Sequence, residues 1–420
     1  MFSFHKDKKV VGQLFLLCME GSLDKIMSQV CSTLGVQRKE NDPVIVLSGE
    51  GIEALRIEGV TKELGEEAEK VLKEQRSGIA GHFRQAPAEK MQDIDRKINV
   101  LHQIKRSNGL CGINYVFQGA RAEKIKRELI EKLTGLLSPL QGVLLVTGDK
   151  ADYLLDASGK IVLDDKGKSQ VDRFMPYMDR ALIETLKEKA QKEGISEERM
   201  KRRSKNREYF ESRGIFVPEW YPYIEGISEA KIRSAEEMAH RAAALLAVSL
   251  YSECMLGHGM STAEARAYAE EHALNRFGGD SVFSPKEKAY FYNDAATEKE
   301  KIAYSWQYEN LFVMDWALGL VDDLPFPNAI CDVPLSVRVL KPFANREELL
   351  AAAKPKSGEE LLDACDLIFC LDWACVDARV YGLPAPSGMD GGVTQARHKT
   401  LNWLVGSDEG AEWDHVGTNT

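Results

Sequence analysis

The stretch Ser234-Ala-Glu-Glu-Met-Ala-His-Arg-Ala-Ala-Ala-Leu-Leu-Ala-Val-Ser-Leu-Tyr-Ser-Glu-Cys-Met-Leu-Gly257 carries a helix together with both of its ends. Ser234 and Glu237 have the spacing of a capping box, in which each side chain satisfies an amide that the first turn leaves unpaired. Gly257 stands where such a helix stops, and an apolar periodic run lies between. The same entry recurs as Ser261-x-x-Glu264, Ser284-Pro-x-Glu287, Thr297-x-x-Glu300 and Ser357-x-x-Glu360, with Gly319, Gly382 and Gly406 placed to close later helices. Five such starts, with no strand-like alternation among them, predict an all-α domain over residues 179–420. Ile215 to Pro222 and Asp322 to Pro334 read as irregular connectors.

Upstream of that domain the period changes. Val10 to Met19, Val44 to Leu47, Leu55 to Ile57, Ile113 to Phe117, Val143 to Thr147, Tyr153 to Leu155 and Lys160 to Leu163 read as strands. Helical periods cover Leu23 to Leu34, entered through Ser22, then about Leu64 to Ser107, and Ala122 to Leu137. Asp156-Ala-Ser-Gly159 supplies the residues of a tight turn between the last two strands. Residues 1–178 are therefore expected to form an α+β domain, a mixed or antiparallel sheet with helices on one face.

A chain of 420 residues and 47.0 kDa has room for about two cores, and 44% hydrophobic with 29% charged residues is the composition of an ordinary globular protein. The net charge of −10 is unevenly placed. Residues 1–180 hold 28 basic and 26 acidic side chains, so the surplus acid belongs to the second half, as do all six tryptophans. An acidic balance disfavours nucleic acid as a partner, because neutralising phosphates needs surplus positive charge on a large face. The eight cysteines do not read as a disulfide framework. Cys365, Cys370 and Cys375 step around a helix by about 140° each and do not converge on one metal from one face. Lys6, Lys8 and Lys9 before the apolar run Val10 to Met19 imitate a signal peptide. The run is interrupted by Gln13, lacks small residues at its end, and is far shorter than the roughly 20 residues that span a bilayer. A first strand, no membrane partner and a cytoplasmic location are expected.

Four local patterns invite chemistry. Gly49-Glu-Gly51-Ile-Glu-Ala54 follows a strand as a dinucleotide fingerprint does, but Leu55 and Ile57 then alternate with Arg56 and Glu58, which predicts a hairpin and no cofactor. Glu237-Met-Ala-His240 and Glu412-Trp-Asp-His415 have a metal-ligand spacing. Arg241 and Glu236 stand one turn away to pair with the first unit, the second lies in a tail without helical period, and no metal is expected. The basic run Lys201-Arg-Arg-Ser-Lys-Asn-Arg207 reads as a solvated helix face balanced by nearby glutamates.

The fourth pattern is carboxylates on apolar stripes. Ile302, Trp306, Glu309, Val313, Trp316 and Leu320 recur at steps of four and three, which predicts one helix from Thr297 with Glu309 buried between two tryptophans. The helix Glu359 to Arg379 is apolar nearly all round, yet carries Asp366, Asp372 and Asp377. A buried carboxylate must find a cation, keep its proton or face a cavity, and Arg379, Arg397, His398 and Arg241 are the candidate partners. The candidate pocket comprises Glu309, Asp372, Arg397, His398 and Asn402, flanked by Trp306, Trp373 and Trp403. The same residues suit a buried network that fixes helix packing. Trp413 suggests that the acidic tail after Gly406, with Asp408, Glu409, Glu412 and Asp414, docks on the helices.

Arg233-Ser-Ala-Glu-Glu-Met-Ala-His-Arg241, Ser284-Pro-Lys-Glu-Lys288, Tyr304-Ser-Trp-Gln-Tyr-Glu309, Trp316-Ala-Leu-Gly319, Leu324-Pro-Phe-Pro327, Leu362-Asp-Ala-Cys-Asp366, Trp373-Ala-Cys375 and Arg397-His-x-x-Leu-Asn-Trp403 resemble a bacterial family known as domain of unknown function 4272. The likeness covers roughly residues 200–416, and the first 180 residues are similar to a region that often precedes this domain. The resemblance implies a fold unit and carries no activity with it. Two functions are weighed. One is a non-enzymatic protein that binds a partner protein or a small polar ligand, in a stress, conflict or immunity system. The other is a metal-independent hydrolase or transferase using Glu309, Asp372 and His398. Nothing in the sequence sets the oligomeric state.

Overall fold

The computed structural model describes residues 9–38, 43–148, 150–192 and 194–420; Lys6 and Lys8, and the side chains of Gln191 and Asp408, lie outside the described residues. The chain forms two compact units, Met1–Ala190 with Arg213–Trp220, and Gln191–Ser212 with Tyr221–Thr420.

The first unit contains strands β1 (Lys9–Cys18), β2 (Val44–Gly49), β3 (Ile52–Thr61), β4 (Gly109–Gln118), β5 (Gly142–Val146), β6 (Tyr153–Leu155) and β7 (Ile161–Asp164). Its helices are α1 (Leu23–Leu34), α2 (Glu66–Arg84), α3 (Met91–Arg106), α4 (Ala122–Thr134), α5 (Leu137–Leu140) and all but the last two residues of α6 (Arg180–Lys192). The strands lie in the order β2-β3-β4-β1-β5-β6-β7, and every neighbouring pair is antiparallel. Ser22 caps α1 by accepting from the Lys25 amide, and Gly35 closes it at φ +71°. The glycine motif is a hairpin: Gly49 pairs with Ile52, and Gly51 turns the chain at φ +74°.

Leu14, Leu16 and Cys18 of β1 alternate with residues of the opposite face and pack with Ile113, Leu144 and Val146 against α1 and α4. One step out of phase, Leu17, Leu110, Val143 and Leu145 are equally buried, and α2 and α3 pack on β3 and β7. Helices thus cover both faces, not the one expected. The all-apolar run Gly142-Val-Leu-Leu-Val146 is what a strand buried on both faces looks like.

The second unit is helical: α7 (Glu197–Glu211), α8 (Ala235–Leu256), α9 (Thr262–Ala269), α10 (Asn275–Phe277), α11 (Pro285–Phe291), α12 (Glu298–Ser305), α13 (Gln307–Ala317), α14 (Val333–Leu340), α15 (Arg346–Ala352), α16 (Gly358–Val380) and α17 (Gly391–Val405). All five expected capping boxes form with both hydrogen bonds in place. The single helix expected from Thr297 is broken at Trp306. The Ser305 hydroxyl donates to the Ile302 carbonyl, α12 ends, and α13 restarts, leaving Ile302 and Trp306 exposed while Glu309, Val313 and Trp316 are buried. The tail docks: Trp413 is buried against Trp403, and Asp414 accepts from the Ser284 hydroxyl at 2.7 Å and the Lys286 amide at 2.9 Å at the start of α11. All eight cysteines are free and buried. No helix among the described residues is long and apolar enough to cross a membrane.

Candidate functional site

Arg397 and His398 are neighbours on α17, so their side chains leave the helix about 100° apart and reach different partners. Arg397, wholly buried, turns toward α13. Its Nε lies 3.7 Å from Glu309 Oε2 and its Nη1 donates to the Pro325 carbonyl, while Glu309 Oε1 accepts from the Cys331 amide. Desolvation lowers the Arg397 pKa and the Glu309 charge opposes that fall. His398 turns toward α16, with Nδ1 2.7 Å from Asp372 Oδ2 and both side chains buried. One turn further on, Asn402 accepts from Cys365 Sγ at 3.4 Å and donates to the Gly417 carbonyl at 2.9 Å.

The structure therefore joins Glu309 to Arg397 and Asp372 to His398 as two pairs, and holds Asn402 against the tail. The tryptophans are dispersed. Trp306 is exposed beside Gly392, Trp373 lies 5.7 Å from the Tyr221 ring, and Trp403 sits between Trp413 and the Arg233 guanidinium.

Two further buried pairs were not anticipated. The basic run presents a solvated face at Lys201, Ser204 and Lys205. Arg202, Arg203 and Asn206 turn inward, and Arg203 grips Asp366 with Nε at 3.1 Å and Nη2 at 2.7 Å, while donating to the Tyr221 and Pro222 carbonyls. Arg241 pairs with Glu287 of α11, a residue whose amide also serves the Ser284 cap. Glu237 is engaged by Ser234 and Arg233, and His240 faces Arg346. Burial, then the Arg346 charge, hold the His240 imidazole below its usual value. These two Glu-x-x-His residues thus face other side chains of the protein.

An apolar cleft of about 1040 Å³ opens beyond the end of α8. Leu250, Cys254 and Leu256 form one wall; Val333 and Val337, one turn apart on α14, form another. Asp332 caps α14 and Pro334 stands in its first turn, which aims that apolar pair. At the floor the Tyr308 hydroxyl donates to Glu253 Oε2 at 2.5 Å. Burial and that bond push the phenol well up, so it stays protonated and occupies the carboxylate. His258, Arg338 and Lys341 are exposed on the lip and have no ion pair among the described residues.

A seven-stranded antiparallel α+β unit and a helical unit framed by buried ion pairs define a two-unit protein whose helical side carries an apolar cleft with a basic rim. The chain belongs to the family described as Domain of unknown function (DUF4272), whose model matches residues 201–416, just over half of its length. No curated protein and no solved structure matches it.

Proposed function

We propose that this is a cytoplasmic binding protein, and that its helical unit seats an amphipathic anion, an acyl chain ending in a carboxylate, in the cleft between α8 and α14. The observation that carries the reading is an apolar cleft of about 1040 Å³ with Arg338 and Lys341 on its lip, without an ion pair among the described residues, and its one carboxylate, Glu253, already bonded to Tyr308. Apolar walls with a few placed polar groups are what small-molecule sites offer. Cations on the lip select the sign of the ligand's head. The Glu309–Arg397 and Asp372–His398 pairs, sealed from solvent, hold the frame in this reading and do not touch the ligand.

The test is titration with a dansyl-labelled undecanoic acid and with the matching alkyl amine. Saturable binding of the acid, about tenfold tighter than of the amine, is expected. Arg338→Glu with Lys341→Glu should remove that preference, and Val337→Asp should abolish binding of both. Equal binding of acid and amine, or no saturable binding of either, overturns the proposal.

A further inference from the structure

Three side chains of metal-binding type, from three separate segments of the sheet unit, meet near the end of α2. His82 stands in the last turn of α2, Asp152 in the loop before β6, and Asp165 directly after β7. One donor atom from each, an imidazole nitrogen and two carboxylate oxygens, lies within 4.8 Å of the other two.

The segments are locked to one another. The Asp165 amide donates to the Asp152 carbonyl at 2.9 Å, and the Gly148 amide donates to Asp152 Oδ1 at 3.1 Å. Past the β7 turn, Gly167 at φ +78° lies so close to the Pro87 carbonyl, three residues beyond α2, that a Cβ there would stand 2.1 Å from its oxygen. Only glycine brings the α2 end and the β7 turn this close.

The charges at this spot are unbalanced. Two carboxylates face each other, and among the described residues neither pairs with a lysine or arginine; only His82 Nε2 approaches, 3.2 Å from Asp152 Oδ2. Asp165 Oδ1 is out of reach of solvent and has no hydrogen-bond partner. A carboxylate oxygen stripped of water and given no donor is the group a cation satisfies.

We propose that His82, Asp152 and Asp165 bind a first-row divalent transition cation, with Zn²⁺ held more tightly than Mn²⁺ or Fe²⁺. One imidazole and two carboxylates suit Zn²⁺, Mn²⁺ and Fe²⁺, and the affinity order at mixed nitrogen and oxygen sites favours zinc. Mg²⁺ prefers oxygen and water and is disfavoured by the imidazole. Tetrahedral zinc holds its ligand atoms roughly 3.3 Å apart, so small rotamer changes close the site. His82 and Asp152, 46% and 29% exposed, have the freedom to make them and leave the remaining position to water.

Isothermal titration of the chelator-treated full chain with ZnCl₂, MnCl₂ and MgCl₂ tests this. One Zn²⁺ per chain at micromolar affinity or tighter, weaker Mn²⁺ and no Mg²⁺ are expected. Zn²⁺ should also raise the melting temperature. Asp165→Asn and His82→Gln should each weaken Zn²⁺ binding at least tenfold and abolish the melting shift, leaving the metal-free circular dichroism spectrum unchanged. Asp165→Asn is isosteric, and His82→Gln lies in an exposed turn and serves alone should the first variant misfold. Absence of saturable Zn²⁺ binding, Mg²⁺ binding as tight as Zn²⁺, or unaltered Zn²⁺ binding in the variants overturns the proposal.

Discussion

The core beneath α1 and α4 and the core of the helical unit solve one problem by different means. Under α1 and α4 the packed side chains are hydrocarbon, aromatic, thiol or thioether, and the choice of neighbours is made by the backbone, ten residues of β1 pairing with ten of β4 in one register. Helices satisfy their backbones internally, so no ladder says which helix faces which. There the buried ions do it. Arg203 ties α7 to α16, Arg241 ties α8 to α11, and Arg397 and His398 tie α17 to α13 and α16. A wrong pairing would strand a charge in a dry interior. Part of the acid of the second half is thus internal, but each Arg–carboxylate pair buries one basic charge with it and leaves most of the surplus in place.

Removing half of a buried pair is the most damaging way to break this comparison. Arg203→Ala strands Asp366 and should cost about 3–5 kcal/mol in urea unfolding followed by tryptophan fluorescence. Arg203→Met with Asp366→Leu should recover most of that loss, since the pair's absence costs less than one partner's. Beneath α1 and α4, Leu144→Ala should cost about 2–5 kcal/mol through a cavity, with no second-site charge change to rescue it.

Acid and base should then separate the units. Burial first, then Arg106 and Lys105, lower His102 of the sheet unit from 6.5 to about 3. Its neutral form therefore contributes stability that is full above pH ~6.5 and lost as pH falls toward about 3. Burial raises Asp315 of the helical unit well above 3.8, against a hydrogen bond from Ser336. Its contribution is full below pH ~4 and lost as pH rises through the elevated value. His102→Gln should flatten the acid limb of the unfolding midpoint, and Asp315→Asn the opposite limb. The smallest effect belongs to a cap: Ser357→Ala should cost ~1 kcal/mol, measured by thermal melting.

The sequence was legible where a side chain serves its own backbone. Ser234, Ser261, Ser284, Thr297 and Ser357 reach amides three residues away, so spacing alone reveals them. Glu309 and Asp372 were recognisable as buried carboxylates in need of cations, and Arg397 and His398 were among the candidates. Asp366 was recognisable too, but Arg203 stands 163 residues away on a helix whose charges look solvated, and only packing turned it inward. The break at Trp306 depends on a hydroxyl of Ser305 whose preference for backbone is weak until the fold decides it. Cover on both sheet faces was hidden because a short apolar strand does not say how many layers bury it. The cleft lay in residues that alternate as any half-buried helix does, and His82, Asp152 and Asp165 obey no spacing.

Eight buried thiols give the molecule its own clock. Cys18, Cys31 and Cys111 belong to the sheet unit; Cys254, Cys331, Cys365, Cys370 and Cys375 belong to the helical one. Burial pushes Cys111 and Cys370 up to about 12, so neither is a nucleophile until its surroundings open. Counting alkylated cysteines by mass spectrometry in native buffer therefore times the opening of each unit separately, with no probe introduced into either.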